Sequence, residues 1–168
     1  MGFIAIILAV SLTGCTDPAE IAVPDAPGAV ILPFGELERH ECLIAEPGSQ
    51  ILLGDMLGPT LDEVTITNVE LEAAVGLRVQ GVFLLDPSKG TPYATWASVP
   101  QDEVIWTTRV EAEGATLLPG EVRNIVIQAE VLDQASASVA AVTVEYESGD
   151  FSGSITGLVT YEIAAACA

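Results

Sequence analysis

From about residue 50 onward, apolar and polar positions alternate with a period of two along most of the chain, the signature of half-buried strands. In residues 139–147, Ala140, Val142, Val144 and Tyr146 share one face, with Thr143, Glu145 and Glu147 opposite. Ser148-Gly149-Asp150 supplies a turn. Residues 151–163 then set Phe151, Ile155, Val159, Tyr161 and Ile163 against Ser152, Ser154, Thr156, Thr160 and Glu162. Together these segments predict a long hairpin with one wet face. Residues 122–131 place Ile125, Ile127, Ala129 and Val131 on one side, and residues 77–85 do the same with Leu77, Val79, Gly81, Phe83 and Leu85. In residues 63–71, Val64 and Ile66 have one parity and Val69 and Leu71 the other, so a β-bulge is expected at Thr67-Asn68. Residues 50–53 and 103–111 are further predicted strands. Residues 35–45 fit two patterns: Leu37, Glu41 and Ile44 have helical spacing, while 42–44 could be a strand. The apolar residues 30–34 are either a first strand or the end of a linker. No amphipathic helix competes with this pattern. The expectation is an all-β domain over 30–168, an antiparallel β-sandwich of about seven strands.

Before residue 30 the pattern changes. Residues 3–12 are apolar except for Ser11. The run suits the core of a secretory signal and is shorter than the about 20 residues that span a bilayer. It ends in Leu12-Thr13-Gly14-Cys15, which resembles the lipobox of bacterial lipoproteins. The resemblance implies that residues 1–14 are a signal peptide and that Cys15 carries the lipid. Its thiol would take diacylglycerol as a thioether, and the small residues before it would admit the peptidase. Two acyl chains anchor stably where one is marginal. It also implies a location on the outer face of the bacterial cytoplasmic membrane. One feature departs from the family pattern: the first basic residue is Arg39, although such leaders carry Lys or Arg ahead of the apolar run. That leaves open a start upstream of Met1. Residues 16–28, with three prolines and three acids, read as an extended tether, so 15–29 is assigned as lipidated cysteine and linker. The competing reading, a buried strand or helix opening a cytosolic domain, fits poorly with a Pro-rich acidic linker following at once.

Charge narrows the partners. The chain has 24 Asp and Glu against 5 Lys and Arg, a formal charge of −19, yet only 17% of its residues are charged. An average domain has about 25%, so the imbalance is a shortage of bases rather than an acidic tail. Such a surface disfavours nucleic acid and anionic envelope polymers. It also disfavours electrostatic docking on anionic lipid, which leaves the membrane contact to the lipid on Cys15.

With Cys15 assigned to the lipid, Cys42 and Cys167 remain, in a compartment the lipobox implies is oxidising. One intrachain disulfide is the expectation; two free thiols, one of them making a dimer link, is the alternative. Loop-entropy models give so long a closure roughly 4–5 kcal/mol.

Residues 64–67 (Val-Thr-Ile-Thr), the turn Pro119-Gly120-Glu121 and residues 142–146 (Val-Thr-Val-Glu-Tyr) are similar to segments of immunoglobulin-like domains. More narrowly, they resemble small uncharacterised lipoproteins of Gram-positive, actinobacterial type. The likeness runs from about Glu63 to Ile163. The antibody arrangement of Cys-Trp-Cys is absent. The resemblance implies an architecture and no activity.

The residues that could carry chemistry are few. His40 is the sole histidine; His40-Glu41-Cys42 has the residue types of a metal site but not the ligand count for zinc or blue copper, so no metal is assigned. No nucleophile elbow, Walker loop or dinucleotide fingerprint occurs, and no catalytic residue or cofactor is assigned. Acidic pairs occur at Asp62-Glu63, Asp102-Glu103 and Glu111/Glu113; among 24 acids such pairs arise by chance. Loop calcium ligation lacks its motif. Tyr93 and Trp96 lie in a predicted loop, where aromatics can form a platform for a sugar or peptide, against the simpler reading of packing. Trp106 is expected to be core or half-buried in its strand. The leading function is a lipid-anchored, non-enzymatic envelope domain that binds a protein or small ligand or serves a membrane complex. The alternative is an extracytoplasmic carboxylate-dependent hydrolase, which a clustered, buried set of acids would favour. A solute-binding lipoprotein ranks below both, because the alternating α/β lobes of that class are missing.

Overall fold

A computed structural model describes residues 38–132 and 137–167. The leader, Cys15, the tether and the apolar residues 30–34 lie outside the described residues. The strands are β1 (Arg39–Ile44), β2 (Gln50–Leu57), β3 (Val64–Glu72), β4 (Leu77–Leu85), β5 (Thr95–Trp96), β6 (Val110–Glu111), β7 (Thr116–Leu117), β8 (Arg123–Val131), β9 (Ala137–Val139), β10 (Ala141–Ser148), β11 (Phe151–Thr156) and β12 (Val159–Ala164). The fold is the expected all-β sandwich. A five-stranded sheet, β5-β2-β8-β4-β6, forms one layer; sheets β11-β10-β3-β7 and β1-β12-β9 form the other. Every pairing is antiparallel except β1 with β12, which run parallel from Arg39 beside Val159 to Ile44 beside Ala164. In the described part of the ambiguous segment, Arg39–Ile44 is a strand: it gains a full edge pairing and buries Leu43.

The main core lies between the layers. The five-stranded sheet contributes Ile51, Leu53 and Leu57 from β2, Leu84 from β4, and Ile125, Ile127, Ala129 and Val131 from β8. The opposite layer contributes Ile66, Val142, Val144, Val159, Tyr161 and Ile163, among others. The expected parity of β8, β10 and β12 holds. The bulge in β3 also falls where parity switches: Ile66 pairs with Tyr146 and Asn68 with Glu145, leaving Thr67 as the extra residue.

Three expectations are corrected. Residues 139–147 and 151–163 are not single strands. The first breaks at Ala140, which is exposed, and the second at Gly157-Leu158, so the hairpin crosses from one small sheet to the other. Gly157 N–H donates to the Val142 carbonyl across the crossing, keeping the two arms together. The break lets one hairpin contribute strands to both small sheets that face the five-stranded sheet. Residues 77–85 do not keep one face. Val79 pairs with Ala129 and Gly81 with Gln128, so Gln80 is a bulge. Past it, Val82 and Leu84 face the main core while Phe83 and Leu85 face outward. Residues 103–111 are not one strand either. Val104–Thr107 is a single helical turn, α1, and only Val110–Glu111 is extended. Ile105 and Trp106 are adjacent and both buried, which a strand with one buried face cannot achieve.

Those outward residues belong to a second, aromatic cluster: Leu52, Phe83, Leu85, Tyr93, Ile105, Trp106 and Val126, with Trp96 packed against it. The segment between β4 and β6 folds back over the outer face of the five-stranded sheet and caps part of it. Buried Asn124 fastens this cap. Its Oδ1 accepts from Tyr93 N–H at 2.7 Å, and its Nδ2 donates to the carbonyls of Asp55 at 2.8 Å and Tyr93 at 2.9 Å. Gly54 lets the cap approach, since a Cβ there would run into the Tyr93 carbonyl.

Candidate functional site

Cys42 and Cys167 form a disulfide with Cα atoms 5.8 Å apart, as expected from the cysteine count. It ties the first described strand to the end of the chain, closing 125 residues of sequence separation. Nearby, β1 is held to the five-stranded sheet by a part-buried polar seam. Arg39 Nη2 donates to Asp55 Oδ1 at 2.8 Å, and Met56 N–H donates to the same oxygen at 2.8 Å. Asp55 has the core-facing parity of Ile51, Leu53 and Leu57, and it is the only buried acid among the described residues. Burial pushes its carboxyl above the ordinary value, against the Met56 N–H and the Arg39 guanidinium, which pull it down. The Tyr161 hydroxyl donates to the Gly54 carbonyl at 3.2 Å, and burial followed by the nearby Asp55 charge raises its pKa. This seam gathers a buried carboxylate and phenol under a guanidinium that reaches in from the surface, and it fits a structural clasp.

The other sequence candidates are scattered. His40 Nε2 lies 3.0 Å from Glu162 Oε2 across the β1–β12 pair, with both side chains exposed. Among the described residues no group of three metal-ligating side chains occurs. Asp62, Glu63 and Asp150 line an open concavity of about 660 Å³ with Ser148, Gly149 and Phe151. The Ser148 hydroxyl there donates to the Glu63 carbonyl at 2.8 Å. A second open concavity, about 460 Å³, lies on the wet face of β10 and β11 over Glu145, Glu147, Ser152 and Ser154. Asp102 and Glu103 separate in role: Glu103 accepts the Tyr93 hydroxyl at 2.8 Å. The clustered, buried carboxylates that would favour a hydrolase are not found among the described residues.

Tyr93 and Trp96, paired as a platform in the sequence, part company. Tyr93 is 1% exposed and serves the aromatic cluster, with ring centroids 4.8 Å from Trp96 and 6.4 Å from Trp106. Burial and its bond to Glu103 raise its pKa. Its buried ring presents no face to a ligand. Trp96 is partly exposed, in β5, with Leu52 of β2 as its neighbour. The Arg109 guanidinium lies over both Trp106 and Phe83, 4.4 and 4.9 Å from the ring centroids, and seals the other side of the cap.

Sequence reasoning missed the polar face that continues from Trp96. Beyond the cap, the outer face of β2, β8 and β4 carries Gln50, Gln128 and Gln80 with the ion pair Arg78–Glu130. Gln128 Nε2 donates to Gln50 Oε1 at 3.1 Å and to Gln80 Oε1 at 3.0 Å. Three glutamines on separate segments give no local motif; the faint signal was their shared outward parity. No protein-family model matches this chain, and comparison with curated proteins found no match.

Proposed function

We propose that this chain is a lipid-anchored protein of the bacterial cell envelope whose sandwich domain acts by binding rather than catalysis. The observation that carries the reading is Leu12-Thr13-Gly14-Cys15 at the end of a short apolar run, followed by a Pro-rich tether. The Cys42–Cys167 disulfide supports an oxidising compartment. The two-layer packing and the sheet-crossing final hairpin support an immunoglobulin-like arrangement, and the sequence resemblance supports a Gram-positive, actinobacterial-type source. A rigid sandwich on a tether of more than a dozen residues is suited to holding a surface clear of the membrane for a partner. The partner is a small ligand or another envelope component, and the shortage of basic residues argues against nucleic acid. Growth with an alkyne fatty acid tests the anchor. The wild-type chain should take the label and sediment with membranes, and Cys15→Ala should lose both properties. Equal labelling of the two would end the lipoprotein reading.

A further inference from the structure

The polar strip on the outer face of the five-stranded sheet differs from the other wet faces of the molecule. The wet face of the opposite layer carries short side chains, Thr143, Ser152, Ser154 and Thr156, with glutamates. Such short hydroxyl residues order at little entropic cost and suit a pleated surface. On the five-stranded sheet the corresponding positions carry long, planar amides. Holding a Gln side chain costs more rotamer freedom than holding Ser or Thr, and exposed amide pairs return little of that as stability. Yet these three are aligned by one another. Gln128 bridges Gln50 and Gln80, and Gln80 Nε2 lies 3.4 Å from Glu130 Oε2, which also accepts from Arg78. Within the network, Gln50 Nε2 donates to none of its members and Gln128 Oε1 accepts from none.

The register places an aromatic ring in the same row. Trp96, Leu52, Gln128 and Gly81 are neighbours across β5, β2, β8 and β4; Gln50, Glu130 and Arg78 form the next row. Three strand spacings of about 4.8 Å give the strip a length of about 14 Å. Leu52 lies fully buried between Trp96 and Gln128, and Gly81 ends the row, where the Phe83 ring fills the space a side chain would take.

We propose that this strip binds a short neutral oligosaccharide, the ring of Trp96 packing on sugar C–H groups and the amides of Gln50, Gln80 and Gln128 reading its hydroxyls. This names the ligand class of the binding function argued above and rests on that reading. Each part of the strip suits the class. A hydroxyl both donates and accepts, as an amide does. An indole gives an apolar face with no charge demand. Arg78 and Glu130 neutralise each other, so the strip is uncharged within a chain of −19. That balance favours an uncharged ligand over uronic or phosphate polymers, which the rest of the surface repels.

The test uses the full-length chain in a non-glycosidic detergent. It is titrated with gluco-, manno- and N-acetylglucosamine oligosaccharides of three to six units, up to about 10 mM. Isothermal titration calorimetry is the readout, because it reads wild type and variants alike, including the one that lacks the partly exposed Trp96 ring. At least one series should bind. Trp96→Ala and Gln128→Ala should each weaken it tenfold or more, while Gln128→Ala leaves the melting temperature nearly unchanged and so excludes unfolding as the cause. Thr143→Ala on the opposite wet face should bind as wild type does. No binding by any series, binding that survives both strip variants, or a neutral extended peptide taking the strip in place of the sugars would overturn the proposal. Fatty-acid labelling at Cys15 is read in the same samples, so loss of the glycan site and loss of the anchor are told apart.

Discussion

On its inner face the five-stranded sheet meets aliphatic side chains from two other sheets, in regular alternation; on its outer face it meets aromatic rings delivered by an irregular excursion. The inner core is Ile, Leu, Val and Ala with Tyr146 and Tyr161. The outer cluster is Trp106, Tyr93, Phe83 and Trp96, pinned by Asn124 and sealed by Arg109. The difference follows from geometry. Two facing sheets sit about 10 Å apart and are filled by branched aliphatics from both sides. A single excursion with two short helical turns has few residues to cover the same area, so each must be large. The outer face is covered only as far as those rings reach, and the amide strip begins where they stop.

Truncations in the two clusters should therefore behave differently. Trp106→Ala removes the largest buried side chain and should cost about 3–5 kcal/mol. Its mark should be local: amides of the cap, near Tyr93 and Ile105, exchange much faster while those of β10 and β12 keep their ranking. Ile127→Ala, in the inner core, should cost about 2–5 kcal/mol and speed exchange in both layers together. Identical exchange patterns for the two variants would show that the clusters are one cooperative unit. A smaller effect is expected from Asn124→Ala. It strips the cap of three hydrogen bonds and leaves buried backbone groups of Asp55 and Tyr93 unsatisfied, about 1–3 kcal/mol. Denaturant midpoints of Asn124→Ala and wild type measure it, and an unchanged midpoint would mean that the rings alone hold the cap.

The contrast also explains what could be read in advance. Strands wet on one face spell themselves out: Val142, Val144 and Tyr146 against Thr143, Glu145 and Glu147 gave β10 with its parity, and the phase switch in residues 63–71 gave the bulge at Thr67. Strands covered on both faces read as continuous apolar runs, such as Ile51-Leu52-Leu53 and Phe83-Leu84-Leu85, where parity carries no information. That is why the outward turn of Phe83 and Leu85 was missed, along with the bulge at Gln80 that causes it. The helical turn at Val104–Thr107 was missed because four residues show no period. Cysteine counting found the Cys42–Cys167 bridge, since few partners were available. The Arg39–Asp55 clasp and the glutamine strip had no such shortcut: their members are brought together by pairing between distant strands.

The smallest expected effect concerns the clasp. Asp55 has its folded-state pKa raised, chiefly by burial, so the folded protein holds that proton more tightly than the unfolded chain. Stability from this group therefore rises as pH falls from neutral through the raised value, and levels off below the ordinary carboxylate value. Asp86, held low by its hydrogen bonds from Ser88, acts with the opposite sign in a lower window, where stability is lost as pH falls through its lowered value. Asp55→Asn should flatten the upper window, measured as urea midpoints across the acid range. An unaltered pH profile would remove Asp55 from the account.

Intact mass spectrometry of the full-length gene product, recovered from membranes without reductant, reads at once where the protein sits and in what form. The predicted species begins at Cys15, carries diacylglycerol on that residue, and lacks the two thiol hydrogens of Cys42 and Cys167. A chain that retains residues 1–14, bears no acyl group and has both thiols free would contradict it.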